Sequence, residues 1–125
     1  MDVATEEQEQ MLVAQWLDAI RVVWAHVPNS GYRAILRAQA AKVLGARLKK
    51  MGVKKGFPDI LIFTPPPSRP EFTGMAIEMK RTKRGKLSDD QRRWLASLSE
   101  CGWYSAVCYG ATEAIELLRT FGYGE

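Results

Sequence analysis

The chain contains few residues of the kinds that form disulfides, zinc centres or membrane spans. Its two cysteines, Cys101 and Cys108, do not have metal-binding spacing. Both lie beside the apolar segment 103–108, so we expect buried thiols. The single histidine, His26, we expect to be structural or exposed. No apolar stretch approaches the roughly 18 residues of a membrane span, and the acidic N-terminus lacks the apolar run of a signal peptide. We therefore expect a cytoplasmic protein.

Acidic residues are missing from a long stretch of the chain, because none occurs between Asp18 and Asp59. The lysines and arginines of that stretch are Arg21, Arg33, Arg37, Lys42, Arg47, Lys49, Lys50, Lys54 and Lys55. A second basic run occupies residues 80–86. Such clusters raise the local positive potential and suit a polyanion such as nucleic acid. A solubilising surface is the alternative, but two basic runs that flank acidic residues favour a partner with a phosphate backbone.

Length and hydrophobic periodicity predict one small α/β domain, residues 1–125, with a single core. Helical patterns cover about 5–24, 34–51, 88–100 and 112–121, the last capped by Thr112. Strand patterns cover 59–63, 74–78 and 103–109, and the connector at 22–27 has room for a further short strand. Four prolines within 64–70 predict a stiff hairpin connection at the sheet edge. We expect a small mixed β-sheet flanked by helices.

Three charged residues lie at the ends of two predicted strands. Asp59 follows Pro58 at the start of one strand, and Glu78-Met79-Lys80 ends the next, with Glu78 nineteen positions after Asp59. Side chains alternate along a strand, so Glu78 and Lys80 project to one side, and Asp59 joins them if the strands pair. Burying these groups is costly, and a divalent cation with an activated water gives a reason for it. The alternative is a surface salt-bridge cluster.

The first helix carries polar residues in line with its buried stripe. The stripe consists of Val13, Trp16, Leu17, Ile20 and Trp24. At about 100° per residue, Glu6 falls on its centre line, Glu9 and Gln10 fall on its flanks, and Glu7 points away. Either this end of the helix reaches a polar site, or its acids favour the helix dipole.

A second polar residue, Gln91, lies on the core-facing stripe of a later helix. Ser88-Asp89-Asp90-Gln91 has the capping-box form, with Ser88 as N-cap and Gln91 as its partner. Trp94, Leu95 and Leu98 continue the stripe toward the core. Both a capping role and a site role remain open for Gln91.

The set Pro58-Asp59, Glu78-x-Lys80 and Gln91 resembles the PD-(D/E)XK nuclease superfamily. Within that superfamily the chain looks like a stand-alone VRR-NUC domain of the kind found in phages and prophages. The resemblance extends over nearly the whole length and includes Glu6 with Gln10, the Gly56-Phe57-Pro58-Asp59 approach, and the segment 87–95. It implies a restriction-endonuclease-like core and a metal-dependent DNA endonuclease.

The resemblance also implies a metal site. Asp59 and Glu78 would bind Mg²⁺ or Mn²⁺ through oxygen, as hard cations require, and the backbone carbonyl of Met79 is a further candidate ligand.

Roles for the other site residues follow from the same resemblance. Lys80 would help to deprotonate or position the attacking water and would stabilise charge on the phosphate. Glu6 would orient the water or a second metal, with Glu9 as its rival on the same helix face. Gln91 would hold Lys80 or the metal-bound water in place.

For the basic segments, the resemblance implies DNA contacts made mostly to phosphates. The candidate DNA-binding residues are Arg33, Arg37, Arg47, Lys54, Lys55, Arg81, Lys83, Arg84 and Lys86. Stand-alone domains of this family resemble Holliday-junction resolvases, which implies branched DNA as substrate and a homodimer. A non-catalytic DNA-binding module on a nuclease scaffold is the alternative. The presence of Asp59, Glu78 and Lys80 argues against it.

Overall fold

Helices and strands are interspersed along the chain in the computed structural model, which describes residues 5–28, 41–81 and 85–125. The helices are α1 (Glu6–Ile20), α2 (Ala41–Lys50), α3 (Asp89–Glu100) and α4 (Ala111–Thr120). The strands are β1 (Trp24–His26), β2 (Ile60–Ile62), β3 (Met75–Lys80) and β4 (Tyr104–Tyr109). The part of the predicted second helix before residue 41 lies outside the described residues.

The four strands form one sheet in the order β1-β2-β3-β4. The β1–β2 and β2–β3 pairs are antiparallel, whereas β3 and β4 are parallel. Parallel strands need a crossover connection, and α3 lies within it. The predicted α/β fold with a mixed sheet flanked by helices is confirmed.

The alternating side chains of β3 separate the core from the opposite face of the sheet. Met75, Ile77 and Met79 belong to the hydrophobic core, together with Val13 and Leu17 of α1. Burial of each such side chain stabilises the fold by roughly 1.5–3 kcal/mol. The intervening residues of β3, Glu78 among them, point to the other face, on which α3 packs. The pattern of β3 therefore leaves charged side chains beside α3.

The first helix is shorter than its periodicity predicts. It ends at Ile20, because Arg21 adopts a left-handed conformation with φ of 61° and its N–H donates to the Asp18 carbonyl oxygen. Trp24 therefore lies in β1, which confirms the short strand in the connector. Its indole N–H donates to the Asp18 carboxylate at 2.8 Å.

The start of the last helix also differs from prediction. Thr112 was expected to cap α4, but the N-cap position is Gly110, whose φ of 93° favours glycine. The first helical N–H, that of Ala111, donates instead to the carboxylate of Glu9 in α1. A residue distant in the chain thus replaces the local cap.

Two smaller predictions are corrected and two are confirmed. Cys108 is buried as expected, but Cys101 is exposed because it stands at the C-terminal cap of α3. His26 is exposed, as expected, and its Nδ1 donates to the Asp59 carbonyl oxygen at 2.8 Å. The proline-rich segment connects β2 with β3, which are the inner strands of the sheet, so it does not flank an outer strand.

Among the described residues, no helix combines the length and apolar character needed to cross a membrane.

Candidate active site

The pairing of β2 with β3 brings two carboxylates together. Ile60 lies opposite Ile77, so Asp59, the residue before β2, lies beside Glu78. The Asp59 Oδ2 accepts a hydrogen bond from the backbone N–H of Met79 at 2.7 Å. The two carboxyl groups are within hydrogen-bonding reach of each other. The expectation that Asp59 joins Glu78 through strand pairing is confirmed.

Burial makes this acid pair difficult to ionise fully. The side chain of Glu78 is only 5% exposed. Its burial and the Asp59 carboxylate raise the pKa of Glu78 from an ordinary 4.5 to about 8, although the Lys80 ammonium opposes the rise. Burial also raises the pKa of Asp59, against the Met79 N–H that stabilises its charged form. Two buried carboxyl groups that resist ionisation favour a positive charge between or beside them.

A single amide connects the two charged residues of β3. The Lys80 Nζ donates to Gln91 Oε1 at 3.2 Å, and Gln91 Nε2 donates to Glu78 Oε1 at 2.9 Å. The direct distance from Lys80 Nζ to Glu78 Oε1 is 4.0 Å. Since one end of the amide only accepts and the other only donates, these bonds fix the orientation of the Gln91 side chain. Gln91 therefore bridges Lys80 and Glu78, whose charged groups also form an ion pair at 4.0 Å.

The same amide also completes the predicted capping box. Gln91 Oε1 accepts the Ser88 backbone N–H at 2.9 Å, and Ser88 Oγ accepts the Gln91 backbone N–H at 3.1 Å. The capping box at the start of α3 is confirmed. The two roles that the sequence left open for Gln91, capping partner and contact of the charged cluster, are both present. The capping hydrogen bond with Ser88 fixes the position of the Gln91 side-chain amide, and that amide in turn orients Lys80.

One oxygen of the acid pair is reached by no N–H or O–H donor of the described residues. Glu78 Oε2 is buried and accepts no hydrogen bond from the described residues. A buried polar atom without a partner is unfavourable unless an ion or water completes it. Carboxylate oxygens are the ligands that Mg²⁺ and Mn²⁺ prefer, so Asp59 and Glu78 fit a divalent cation. Within residues 5–28, 41–81 and 85–125 no cluster of three or more His, Cys, Asp or Glu could enclose a metal. The arrangement suits an ion that keeps several water ligands.

The acid pair opens into a cleft of about 670 Å³. Its polar wall contains Glu6, Asp59, Glu78, Lys80, Ser88 and Gln91. The apolar side of the lining contains Leu48, Val53 and Phe57. Further lysines on the wall are Lys49, Lys54, Lys55 and Lys86. Lysine side chains therefore surround a small acidic centre.

The cleft includes only some of the predicted DNA-binding residues. Lys54, Lys55 and Lys86 line it, whereas Arg47 and Arg81 are exposed elsewhere. The other four of that set, Arg33, Arg37, Lys83 and Arg84, lie outside the described residues. Lys49 also lines the cleft, although it is not one of the DNA-binding residues predicted from the sequence. No sequence pattern identifies it, because its place on the cleft depends on how α2 packs.

The structure distinguishes between the acids of the first helix. Glu6 lines the cleft, and its negative charge contributes to the raised pKa of both Asp59 and Glu78. Glu9 is turned toward α4 and bonds to the Ala111 N–H. Gln10 buries both polar atoms of its amide without a partner among the described residues. Glu6 is thus the first-helix acid that can reach the acid pair.

The segment before Asp59 packs closely on the start of α3. A Cβ on Gly56 would lie 2.7 Å from backbone atoms of Asp90 and Gln91, and Gly56 has a φ of 84°. Phe57 packs edge-on against Trp94 with ring centroids 4.8 Å apart. A glycine is therefore required where this loop meets the helix that carries Gln91.

The chain is thus an α/β domain in which a mixed sheet brings an acid pair and a neighbouring lysine together at the strand ends. The family model described as "VRR-NUC domain" matches residues 4–112. The chain belongs to the VRR-NUC family, and the resemblance inferred from its sequence is confirmed. The family is one of DNA nucleases, and it implies a divalent metal cofactor in general.

One similar solved structure is described as "VRR_NUC domain protein". It superposes with a TM-score of 0.76 at 21% sequence identity, covering 98% of this chain and 91% of that chain. At this identity the likeness shows a shared fold. No curated protein matches the chain.

Proposed function

We propose that this protein is a Mg²⁺- or Mn²⁺-dependent endodeoxyribonuclease that hydrolyses phosphodiester bonds in DNA. The observation that carries the proposal is the buried Asp59–Glu78 pair, with its unpartnered Glu78 oxygen, beside Lys80 in a lysine-lined cleft. The alternative, a surface salt-bridge cluster, would be exposed to solvent, whereas the side chains of Glu78 and Lys80 are only 5% and 12% exposed.

The proposed roles follow from these positions. Asp59 and Glu78 would hold the cation, with the backbone carbonyl of Met79 as a third candidate ligand. When bound, the ion supplies positive charge to the reacting phosphate and lowers the pKa of a water ligand. Lys80, oriented by Gln91, would donate to a phosphate oxygen or to the attacking water.

Two further features of the cleft would position the reactants. Glu6, on the cleft wall, would accept a hydrogen bond from the attacking water and orient it. The lysines at positions 49, 54, 55 and 86 would hold the DNA backbone on either side of the scissile phosphate. Contacts of this kind position the DNA without reading its sequence, and they make binding salt-dependent.

For the substrate and the assembly, we propose branched DNA of the Holliday-junction kind and a homodimer. The support is the likeness to stand-alone VRR-NUC domains, together with the cleft around the acid pair, since a symmetric dimer would present two such clefts to paired strands. On the same ground we propose a cytoplasmic setting in a bacterial host, with a phage or prophage as the source of the gene.

The test is cleavage of linear duplex, flap and four-way-junction DNA with Mg²⁺, Mn²⁺ or a chelator. The wild type should cut only with metal, and light scattering should show a dimer. Asp59→Asn keeps an oxygen that can accept the Met79 N–H, and Lys80→Met keeps most of the side-chain volume. Both should lose about a hundredfold or more in rate while they still unfold in one cooperative transition. The matched control is Glu7→Gln, on an exposed position of α1.

Three outcomes would contradict parts of the proposal. A wild-type protein that binds all these DNAs but cuts none with either metal would be the non-catalytic binding module. Equal rates of cleavage of duplex and junction DNA would contradict the proposed selectivity for branched DNA. A monomeric protein that cuts junctions at full rate would contradict the proposed homodimer.

A further inference from the structure

A carboxylate from the first helix caps the last one. Glu9 Oε2 accepts a hydrogen bond from the backbone N–H of Ala111, a contact between residues 102 positions apart. Ala111 begins α4, and Gly110 before it has no side chain that could serve as a cap. The first N–H groups of a helix lack partners within the helix and carry a partial positive charge, so a carboxylate there is favourable.

This corner of the molecule also touches the backbone of the site. The N–H of Gly110 donates to the carbonyl oxygen of Lys80 at 2.9 Å. Tyr109, one residue earlier, pairs with Lys80 in the parallel β3–β4 ladder. The Gly110–Ala111 peptide, whose N–H Glu9 caps, therefore lies next to Lys80, which lines the cleft.

Two further features that hold α1 in place lie within its first turn or later in the helix. The capping box between Thr5 and Gln8 is internal to α1. The fully buried side chains of α1, Val13 and Leu17, begin one turn after Glu9. Glu6 lies in the same first turn as Glu9, is exposed and lines the cleft. Glu9 is thus a long-range tether close to Glu6.

From these contacts we infer that Glu9 is a positioning residue, which fixes the first turn of α1 against the β3–α4 corner and so holds Glu6 at the acid pair. The inference rests on the proposed nuclease function, because the distance it controls is that between Glu6 and the reacting water. It gives Glu9 a role distinct from that of a catalytic acid, since its carboxylate is occupied by the Ala111 N–H.

The test compares steady-state cleavage by Glu9→Ala, Glu9→Gln and the wild type. Displacement of a catalytic group by about 1 Å can cost as much as a hundredfold, so we expect kcat of Glu9→Ala to fall about tenfold to a hundredfold. The KM for DNA should change little, because the cleft lysines keep their places. Glu9→Gln should recover most of kcat, since its amide oxygen can accept the same N–H. Glu7→Ala is the matched control, because it removes the same charge from an exposed position of the same turn.

A double-mutant cycle with Glu6→Ala separates positioning from a purely structural role. If Glu9 acts through Glu6, adding Glu9→Ala to Glu6→Ala should lower kcat no further. A structural cap would lower the melting temperature yet leave kcat unchanged at a temperature where every variant is folded. Unchanged kcat in Glu9→Ala, or independent losses in the double variant, would overturn the inference.

Hydrogen exchange tests the tether without any cleavage assay. Glu9→Ala should speed exchange in the first two turns of α1 but leave α3 unaffected, because the lost contact belongs to that end of α1. If the wild type cleaves nothing, the proposed function fails, and the positioning role fails with it. Unchanged exchange in α1 would instead refute the tether while leaving the nuclease proposal intact.

Discussion

The raised pKa of Glu78 predicts that the metal-free protein loses stability as the pH rises. In the unfolded chain this carboxyl group ionises near its ordinary 4.5, whereas in the folded protein its pKa is about 8. Between these values the folded state holds a proton that the unfolded state has released. Folding then becomes less favourable with each pH unit, and the loss is complete above about pH 8.

The size of the effect follows from the shift. Each unit of pKa difference corresponds to about 1.4 kcal/mol, so ionising Glu78 in place should cost several kcal/mol of unfolding free energy. Urea unfolding in chelator at pH 5 and at pH 8.5 would measure it. Glu78→Gln is the matched control, because its neutral amide resembles the protonated acid and should remove most of this pH dependence. Mn²⁺ should restore stability at pH 8.5 and have little effect at pH 5, because it binds the ionised pair.

One result would refute this reasoning. If the metal-free wild type is as stable at pH 8.5 as at pH 5, and Glu78→Gln shows the same profile, then burial does not control this carboxyl group. The argument for a cation beside it would lose its main support.

Three further predictions concern the elements around the acid pair. Gln91→Ala removes both the link between Lys80 and Glu78 and the capping partner of α3. We expect kcat to fall about tenfold and the unfolding free energy by about 1 kcal/mol, as measured by kinetics and thermal melting. An unchanged kcat would limit Gln91 to capping. Gly56→Ala should destabilise the protein by more than the roughly 1–3 kcal/mol expected for left-handed backbone alone. Gly52 has a φ of 100° and open space around it, so Gly52→Ala should lose only that backbone contribution. Urea unfolding of both variants measures the difference, and equal losses would contradict the close packing of Gly56. Replacing Lys54 and Lys55 by Gln should reduce the slope of log affinity against log salt by about two, and an unchanged slope would place the DNA elsewhere.

Much of this arrangement was accessible from local sequence patterns. Strand alternation predicts that Glu78 and Lys80 share a face, and both contact Gln91. The capping box fixes the start of α3 within four residues of sequence. Such features depend on neighbours in the chain, so their physical causes can be read directly from the residues involved.

Contacts between distant segments were not accessible in this way. Thr112 was the best local candidate to cap α4, yet the cap is Glu9, because the packing of α1 on α4 brings a carboxylate to that point. Sequence alone likewise could not choose between Glu6 and Glu9, since both lie near the same stripe. The exposure of Cys101 and the place of Lys49 on the cleft wall also depend on how α3 and α2 pack.

The hydrogen bond between Asp59 and the Met79 N–H has a consequence for strand alignment. A slip of one residue between β2 and β3 would turn Glu78 into the core and bring Met79 to the cleft, because neighbouring side chains point to opposite faces. The same slip would break the bond that Asp59 makes with the Met79 amide. A misaligned pair of strands therefore lacks both the acid pair and the hydrogen bond that stabilises it. Asp59, which is proposed to hold the metal, thus also stabilises the correct alignment of β2 with β3.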